Sequence, residues 1–539
     1  MDSLYIGVDV GSGSVRAGLF TASGDLQHVA VKEIRINNPE PGYYEQSSDE
    51  IWNAVAYTVK EVTKNVDEEK IASISFCATC SLVAIGETNK PVSINKDDDS
   101  SEWNIVMWMD HRAHDEADFI NSTGHNVLQY VGGSISLEME TPKLLWLKKN
   151  LPSRYNNTRH FFDLGDFLRW KATGSLRRSV CCLGCKWTFV NSPTGSSWDE
   201  SYFREIGIED VLPKIGVTIS FPGDTDQISL DAAATLGLSR FTKVGFSMID
   251  AHSGVLGMLG CHNQEDLDSG LTDAAERLSI ICGTSNCHMA LNRKSMLVPG
   301  VWGPYYGVIL NDFYLSEGGQ SAAGKLLDHV VMSHTAYPAL LEAVGSHGKV
   351  LSKLEGLLST IAANQNEIAT LTSDLHIWPD FHGNRSPLAN PTLKGMVSGL
   401  TLSTSVEDLA VVYLATIQAL AYGSRHIKDV MEKAGHKFTE LVLCGGLIKS
   451  KLFVQMHADI LDLPVVIPAC TEPVLLGAAM SAAAAASSDL TLIDVVARMA
   501  GGCTKVQPRR EDKTYHDKKY QVFLKMVEDQ VQYRKIMSD

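Results

Sequence analysis

Residues 5–20 (YIGVDVGSGSVRAGLF) set two apolar, β-branched runs on either side of Gly-Ser-Gly-Ser, a pattern that predicts strand, tight turn, strand. Residues 28–36 (HVAVKEIRI) alternate as a third strand would. The segment PEPGYYEQSSDEIW then turns into a helix, with Ser47 or Ser48 as N-cap and acids in the first turn. Residues 71–85 read as strand, followed by VMWMDHRA at 106–113. Through residue 260 strand and helix patterns alternate, so the first half is expected to be α/β with a central sheet.

A second strand-turn-strand pattern follows at residues 277–291 (RLSIICGTSNCHMAL), turning at Gly283, Thr284 and Ser285. Two such hairpins predict a duplicated fold with a ligand between its halves. The boundary is expected near residues 261–270, a polar, turn-rich stretch. Beyond Glu317 the pattern becomes helical. Val350, Leu351, Leu354, Leu357, Leu358 and Ile361 share one helix face, and Leu409, Val412, Tyr413, Thr416 and Leu420 share another. Residues 441–446 (LVLCGG) read as a buried strand ending in paired glycines. The spacing of Tyr520, Leu524, Val527 and Val531 predicts a terminal helix, approached by a solvated lysine-rich face at 513–519.

At 539 residues the chain is too long for one hydrophobic core, so at least two domains are expected. A net charge of −16 argues against nucleic acid or an anionic membrane surface as partner. No apolar stretch has the length of a membrane span, and the first apolar run is short, broken by Asp9 and lacks a basic leader, so no signal peptide is expected. Of 11 cysteines, Cys77 with Cys80 and Cys182 with Cys185 form C-x-x-C pairs, each in an apolar, strand-like context without zinc-ribbon spacing. These read as buried thiols of a cytoplasmic protein.

Several residues carry candidate chemistry. Asp9 ends the first strand, the turn offers backbone N–H groups and the Ser12 and Ser14 hydroxyls, and Arg16 follows. That set suits nucleotide phosphates with a solvated Mg²⁺, and equally an ordinary hairpin. Asp250, in Ile-Asp-Ala-His, is a helix cap or a general base. Lys186 beside Trp187 is a packed stem with a solvated head or a ligand-binding cation. Residues 319–325 (GQSAAGK) fit G-x-x-x-x-G-K, but Leu326 stands where a metal-binding Ser or Thr belongs and Glu317 interrupts the preceding strand, so this is not a P-loop.

The ordered blocks DVGSGSVRAGLF, MWMDHRA, PKLLWLK, FFDLGDFLRWKATG, MIDAHSG, ICGTSNCHM, PGVWGPYYGV, EGGQSAAGK, WPDFHGNRSPL, LCGGLIKS, QMHADI and LLGAAM span nearly the whole chain. Together they resemble the FGGY family of carbohydrate kinases, and PGVWGPYY, EGGQS and Cys185-Lys186-Trp187 look like its ribulokinase branch. The resemblance implies an α/β protein of two actin-like, ribonuclease-H-like ATPase domains with an interdomain cleft. The expected division is 1–262 for sugar, phosphate and catalytic base, 263–490 for nucleotide, and 491–539 as a helical tail packed on the core. It implies Asp250 as catalytic base and ATP with Mg²⁺ as cofactors. Asp9, Gly11, Ser12, Gly13, Ser14 and Arg16 become the first phosphate loop, with Asp9 organising the metal through water. Gly283 and Thr284 match the second loop, joined by Gly324, while Gly445 and Gly446 admit the adenosine. Cys80, Ser81, Asp110, Lys186, Asp250 and Glu317 would meet the sugar, although Asp110 with Arg112 also reads as a structural ion pair near Trp108.

The implied reaction is ATP-dependent phosphorylation of a pentulose, with D-ribulose ahead of L-ribulose, ribitol or xylulose. The reading from another class is a non-catalytic module binding nucleotide or sugar. A small-molecule sugar is the expected partner, with a homodimer as a further expectation. Three positions depart from the pattern of eukaryotic relatives. Cys77 and Asn390 stand where Asp is usual, and Ser450 where Asn is usual.

Overall fold

The computed structural model describes residues 3–98, 100–262, 274–363 and 367–538. The strands of its two main sheets are numbered in chain order. In the first half these are β1 (Leu4–Val10), β2 (Ser14–Phe20), β3 (Leu26–Glu33), β4 (Ile71–Ala78), β5 (Asp226–Gln227), β6 (Lys243–Val244) and β7 (Met248–Ile249). They pair in the order β5-β6-β4-β1-β2-β3, with β7 also on β4. β1–β3 are antiparallel neighbours, whereas β4 runs parallel to β1 and β7 parallel to β4. Both faces of this sheet are covered, which is why β1 reads as a continuous apolar run. Ile6, Val8 and Val10 pack with Ile51, Val55 and Val59 of helix α1 (Ser48–Thr63). As expected, Ser47 caps α1, accepting from the Glu50 amide at 3.3 Å.

The second half repeats this plan. Strands β8 (Arg277–Cys282), β9 (Asn286–Asn292), β10 (Trp302–Tyr306), β11 (Tyr314–Gln320), β12 (Glu440–Cys444), β13 (Val465–Pro468) and β14 (Cys503–Val506) pair in the order β10-β11-β9-β8-β12-β13-β14. Again the first hairpin is antiparallel, and the strand on its other side, β12, is parallel to β8. Leu278 and Ile280 bury against Leu409, Tyr413 and Leu420 of the 28-residue helix Val406–Lys433.

Between the sheets two helices cross. These are Asp250–Leu259, which follows β7, and Pro473–Ala486, which follows β13. A Cβ placed on Gly477 would lie 1.8 Å from the Ser253 carbonyl oxygen, and one on Gly257 would lie 2.0 Å from that of Pro473. Only glycine allows this approach. The second crossing helix, though late in the chain, also covers the first sheet, where the Ser73 hydroxyl donates to the Ala482 carbonyl at 2.5 Å.

The boundary expected at 261–270 falls mostly outside the described residues, and one expectation about the tail needs correction. Residues 503–506 of the tail are not helical: as β14 they pair with β13 and occupy the edge of the second sheet, while Lys513–Ser538 is the expected helix. Of VMWMDHRA only Val106 lies in a strand (Ile105–Val106), and the Asp110 carboxylate accepts from the Arg112 amide at 2.9 Å, holding a turn. No helix of the described residues is long and apolar enough to cross a membrane.

Candidate active site

Parallel strands that end side by side leave a crevice beyond their C-terminal ends. In the first half, register sets Asp9 opposite Arg16 on β2 and opposite Cys77 on β4, while Cys77 faces Met248 on β7. The chain leaves β7 directly into Asp250, so both carboxylates emerge at one end of the sheet. Arg16 Nε donates to Asp9 Oδ2 at 3.1 Å, and its Nη1 reaches Glu472 Oε2, just before the second crossing helix, at 2.8 Å. Asp9 Oδ1 faces the Cys77 thiol at 3.8 Å. Burial raises the Asp9 carboxyl above its ordinary range, and Arg16 opposes that rise.

Asp250 is the first residue of its helix, and its Oδ1 accepts from the Ala251 amide at 2.7 Å. Burial, reinforced by the charge of Asp9, pushes its carboxyl up to about 7, with Lys186 pulling the other way. The same two acids and burial hold the Cys77 thiol well above its usual value.

Two residues along, His252 Nε2 lies 3.5 Å from Glu317 Oε2, linking the Asp250 helix to a buried charge cluster. Glu317, on β11, meets Arg385 Nη2 at 2.5 Å and Lys186 Nζ at 3.6 Å. Glu138 approaches the same cations at 3.8 and 3.9 Å, and both cations lie over the Trp302 ring, Arg385 at 4.0 Å and Lys186 at 4.2 Å. Burial would raise the Glu317 carboxyl, but Lys186 and Arg385 outweigh it and hold it below the ordinary range. Burial likewise opposes the charge on Lys186, and Glu317 with its neighbours overcomes that, so the ammonium is retained. Glu317 Oε2 and Arg385 Nε are buried without a hydrogen-bond partner among the described residues.

At the matching strand ends of the second sheet, Ile281, Cys287 and Cys444 stand where the first sheet has Asp9, Arg16 and Cys77. Gly283 N donates to Ser285 O at 3.0 Å, as Gly11 N does to Ser14 O at 3.0 Å. The Ala323 and Gly324 amides donate to the carbonyls of Thr284 and Gly283 at 2.8 and 3.0 Å, docking helix Gly324–Ser333 on that turn. Gly445 has φ of 99° and sits against the Cys282 backbone. At Gly13 and Gly446 an added Cβ would meet nothing within 4 Å, and neither has a left-handed backbone. The fold itself does not require glycine there.

The remaining expected site residues fall into place around these groups. The Ser12 hydroxyl accepts from Trp108 Nε1 at 2.9 Å, and Ser81 Oγ accepts from the Trp108 amide at 3.2 Å. Cys80 is buried, within the electrostatic reach of Lys186. Asp110 pairs with the buried Arg112. Both its oxygens accept from Arg112 Nε, at 2.9 and 3.0 Å, and Oδ2 also accepts from the Tyr44 amide at 2.7 Å, so the structural ion pair is the alternative that fits. Lys325 is exposed at its helix start and Gln320 is still in β11, a geometry unlike a P-loop. Cys182 and Cys185 lie in the helix Val180–Lys186, not in strand; a short apolar run shows no period, and the Ser179 hydroxyl caps it by accepting from the Cys181 amide at 3.1 Å. Of the departures, Ser450 caps the helix Lys451–Leu461 and donates to Glu355 at 2.6 Å, while Asn390 closes a local turn on Thr392. Sequence reasoning missed Arg385, Glu138 and Trp302 as a group. GNRSPL and PGVWGPYY contained two of them, but only the tertiary fold brings them to Lys186.

Models of the FGGY family of carbohydrate kinases match residues 4–257 for its N-terminal domain and 278–486 for its C-terminal domain. An FGGY carbohydrate kinase domain-containing protein of Homo sapiens is 47% identical, with 99% of this chain and 98% of that protein covered. A D-ribulokinase of Saccharomyces cerevisiae is 37% identical, covering 90% of this chain and 72% of that one. In three dimensions a xylulose kinase of Rhodospirillum rubrum superposes with a TM-score of 0.79 at 18% identity, over 98% of this chain and 99% of its own. The chain belongs to the FGGY family of carbohydrate kinases and is an ATP-dependent sugar kinase.

Proposed function

We propose that the protein transfers the γ-phosphoryl group of ATP to the C5 hydroxyl of D-ribulose. The observation that carries this reading is the buried cluster of Lys186, Glu317 and Arg385, in which Glu317 Oε2 and Arg385 Nε have no hydrogen-bond partner among the described residues. A buried polar group left unpaired costs about 1–3 kcal/mol, so the cluster favours a ligand bringing both donors and acceptors. A ketose does so. Lys186 and Arg385 can only donate and suit its carbonyl and hydroxyl oxygens, whereas ionised Glu317 accepts from hydroxyls. The resemblance of the chain to a D-ribulokinase supports the choice among ketoses.

Asp250 acts as general base. A carboxyl pushed up to about 7 is substantially ionised at neutral pH and can take the proton of the C5 hydroxyl. Lys186 and Glu317 fix the sugar so that this hydroxyl, not another, faces Asp250. ATP supplies the phosphoryl group, and Mg²⁺ neutralises charge on its phosphates. The donor set fits a hydrated metal ion: Arg16 holds Asp9 Oδ2, while Oδ1 faces the Cys77 thiol at 3.8 Å. Asp9 would hold the ion through water. The turns at Gly11, Ser12, Gly13 and Ser14 and at Gly283 and Thr284 would hold phosphates, and Gly324, Gly445 and Gly446 the rest of the nucleotide.

The test is kcat/KM for D-ribulose, L-ribulose, D-xylulose, ribitol and glycerol at saturating MgATP. D-ribulose should lead, ribitol should be weaker because it lacks the carbonyl, and glycerol, too short to span the cluster and Asp250, should be very poor. Preference for xylulose or glycerol would overturn the substrate assignment. Absence of sugar-dependent ADP release with every compound would overturn catalysis by this site.

A further inference from the structure

The C-x-x-C spacing pairs Cys182 with Cys185, but the helix pairs different residues. Positions four apart lie on one helical face, so Cys181 and Cys185 point together, and both converge on His252 at the start of the neighbouring Asp250 helix. One ligand atom from each lies within 4.8 Å of the others, and all three residues are buried. His252 is fully buried, yet neither ring nitrogen has a hydrogen-bond partner. An imidazole withdrawn from water without a partner is rare and costly.

We infer that Cys181, Cys185 and His252 form a binding site for a soft divalent cation of the zinc type. Two thiolates and one imidazole are a donor set such a cation prefers over Mg²⁺ or Ca²⁺. Three protein ligands leave a fourth tetrahedral position for water or another donor. Two thiolates cancel the charge of the cation, which places no net positive charge beside Lys186 and Arg385. The bound ion would tie the helix that ends in Lys186 to the helix that begins with Asp250.

The test needs neither ATP nor substrate. The reduced, metal-free full-length protein is titrated anaerobically with Co²⁺ and followed by absorption. One equivalent should produce a thiolate-to-cobalt charge-transfer band with tetrahedral d–d bands, both displaced by Zn²⁺. Cys181→Ser and His252→Asn should each weaken binding at least about 10-fold, the cost already seen on losing a supporting partner of a ligand. Cys182→Ser should leave the band in place, because its thiol lies outside the triad. Circular dichroism checks that each variant folds, and if Cys181→Ser does not, His252→Asn carries the same test. A wild-type protein without the charge-transfer band, a band that survives both ligand substitutions, or a band lost equally in a folded Cys182→Ser would each overturn the site.

Discussion

The two sheets have one topology and opposite chemistry. Asp9 on β1 stands opposite Arg16 on β2 and Cys77 on β4; Ile281 on β8 stands opposite Cys287 on β9 and Cys444 on β12. The first half therefore puts an acid and a cation where the second half has apolar and thiol side chains. The helices that follow differ likewise, one beginning with a buried carboxyl at Asp250 and the other with Pro473. Both turns close with the same 3.0 Å backbone bond. A duplicated scaffold thus supplies two matching turns, and only the first carries an acid with its paired cation at these register positions. In the proposed mechanism proton transfer and metal binding belong to the first half, while the second offers its turn to a nucleotide.

The largest effect should come from removing the charge that distinguishes the halves. Asp250→Asn should lower kcat about 10²–10⁴-fold with sugar and ATP affinity little changed, whereas Pro473→Ala, at the matching helix start, should barely affect turnover. Near-wild-type turnover in Asp250→Asn would end the assignment. Next is the crossing shared by both halves. Gly477→Ala drives a methyl into the Ser253 carbonyl and should cost about 3 kcal/mol in urea unfolding, whereas Gly446→Ala meets open space and should unfold like the wild type. Equal stability of the two variants would contradict the close helix contact.

Gly13→Val comes third. Its side chain has room in the fold, so it should crowd only what lies over the turn, weakening ATP about 10-fold by calorimetry, or about 1.4 kcal/mol, with sugar binding unchanged. The pH dependence is gentler. Because the base must be ionised, kcat/KM should rise with pH through about 7. The stability effect has the opposite sign. The folded state holds the Asp250 proton above the ordinary value of 3.8, so stability from this group is full below about 4 and falls as pH rises through about 7. Asp250→Asn should flatten that fall in a series of unfolding midpoints. The smallest effect is expected at a cap in the second half, where Ser450→Ala should cost about 1 kcal/mol of stability.

Much of the scaffold was legible from short-range patterns. Both hairpins, the α1 cap, the paired-glycine strand end and the long helices rest on residues within a few positions of one another, where turn chemistry and periodicity act. Sites carried by one motif, such as Asp9 with its turn and Asp250, were legible as candidates for the same reason. The Arg385 guanidinium was not, because its partner Glu317 is 68 residues away and nothing local marks the pairing. Asp110 had two readings until its contacts with Arg112 and the Tyr44 amide, 66 residues distant, were seen.

By itself the sequence determined where strands turn, which faces are apolar, how the halves repeat and which residues are chemically capable, because those properties are local. Tertiary structure decided which capable residues meet. Register carried Asp9 to Cys77, the helix after β7 carried His252 to Glu317, and helical spacing turned Cys181 rather than Cys182 toward His252. It also decided their charge states. The rise of Asp250 to about 7 comes from burial and the nearby Asp9, and both exist only once chain segments hundreds of residues apart have packed together.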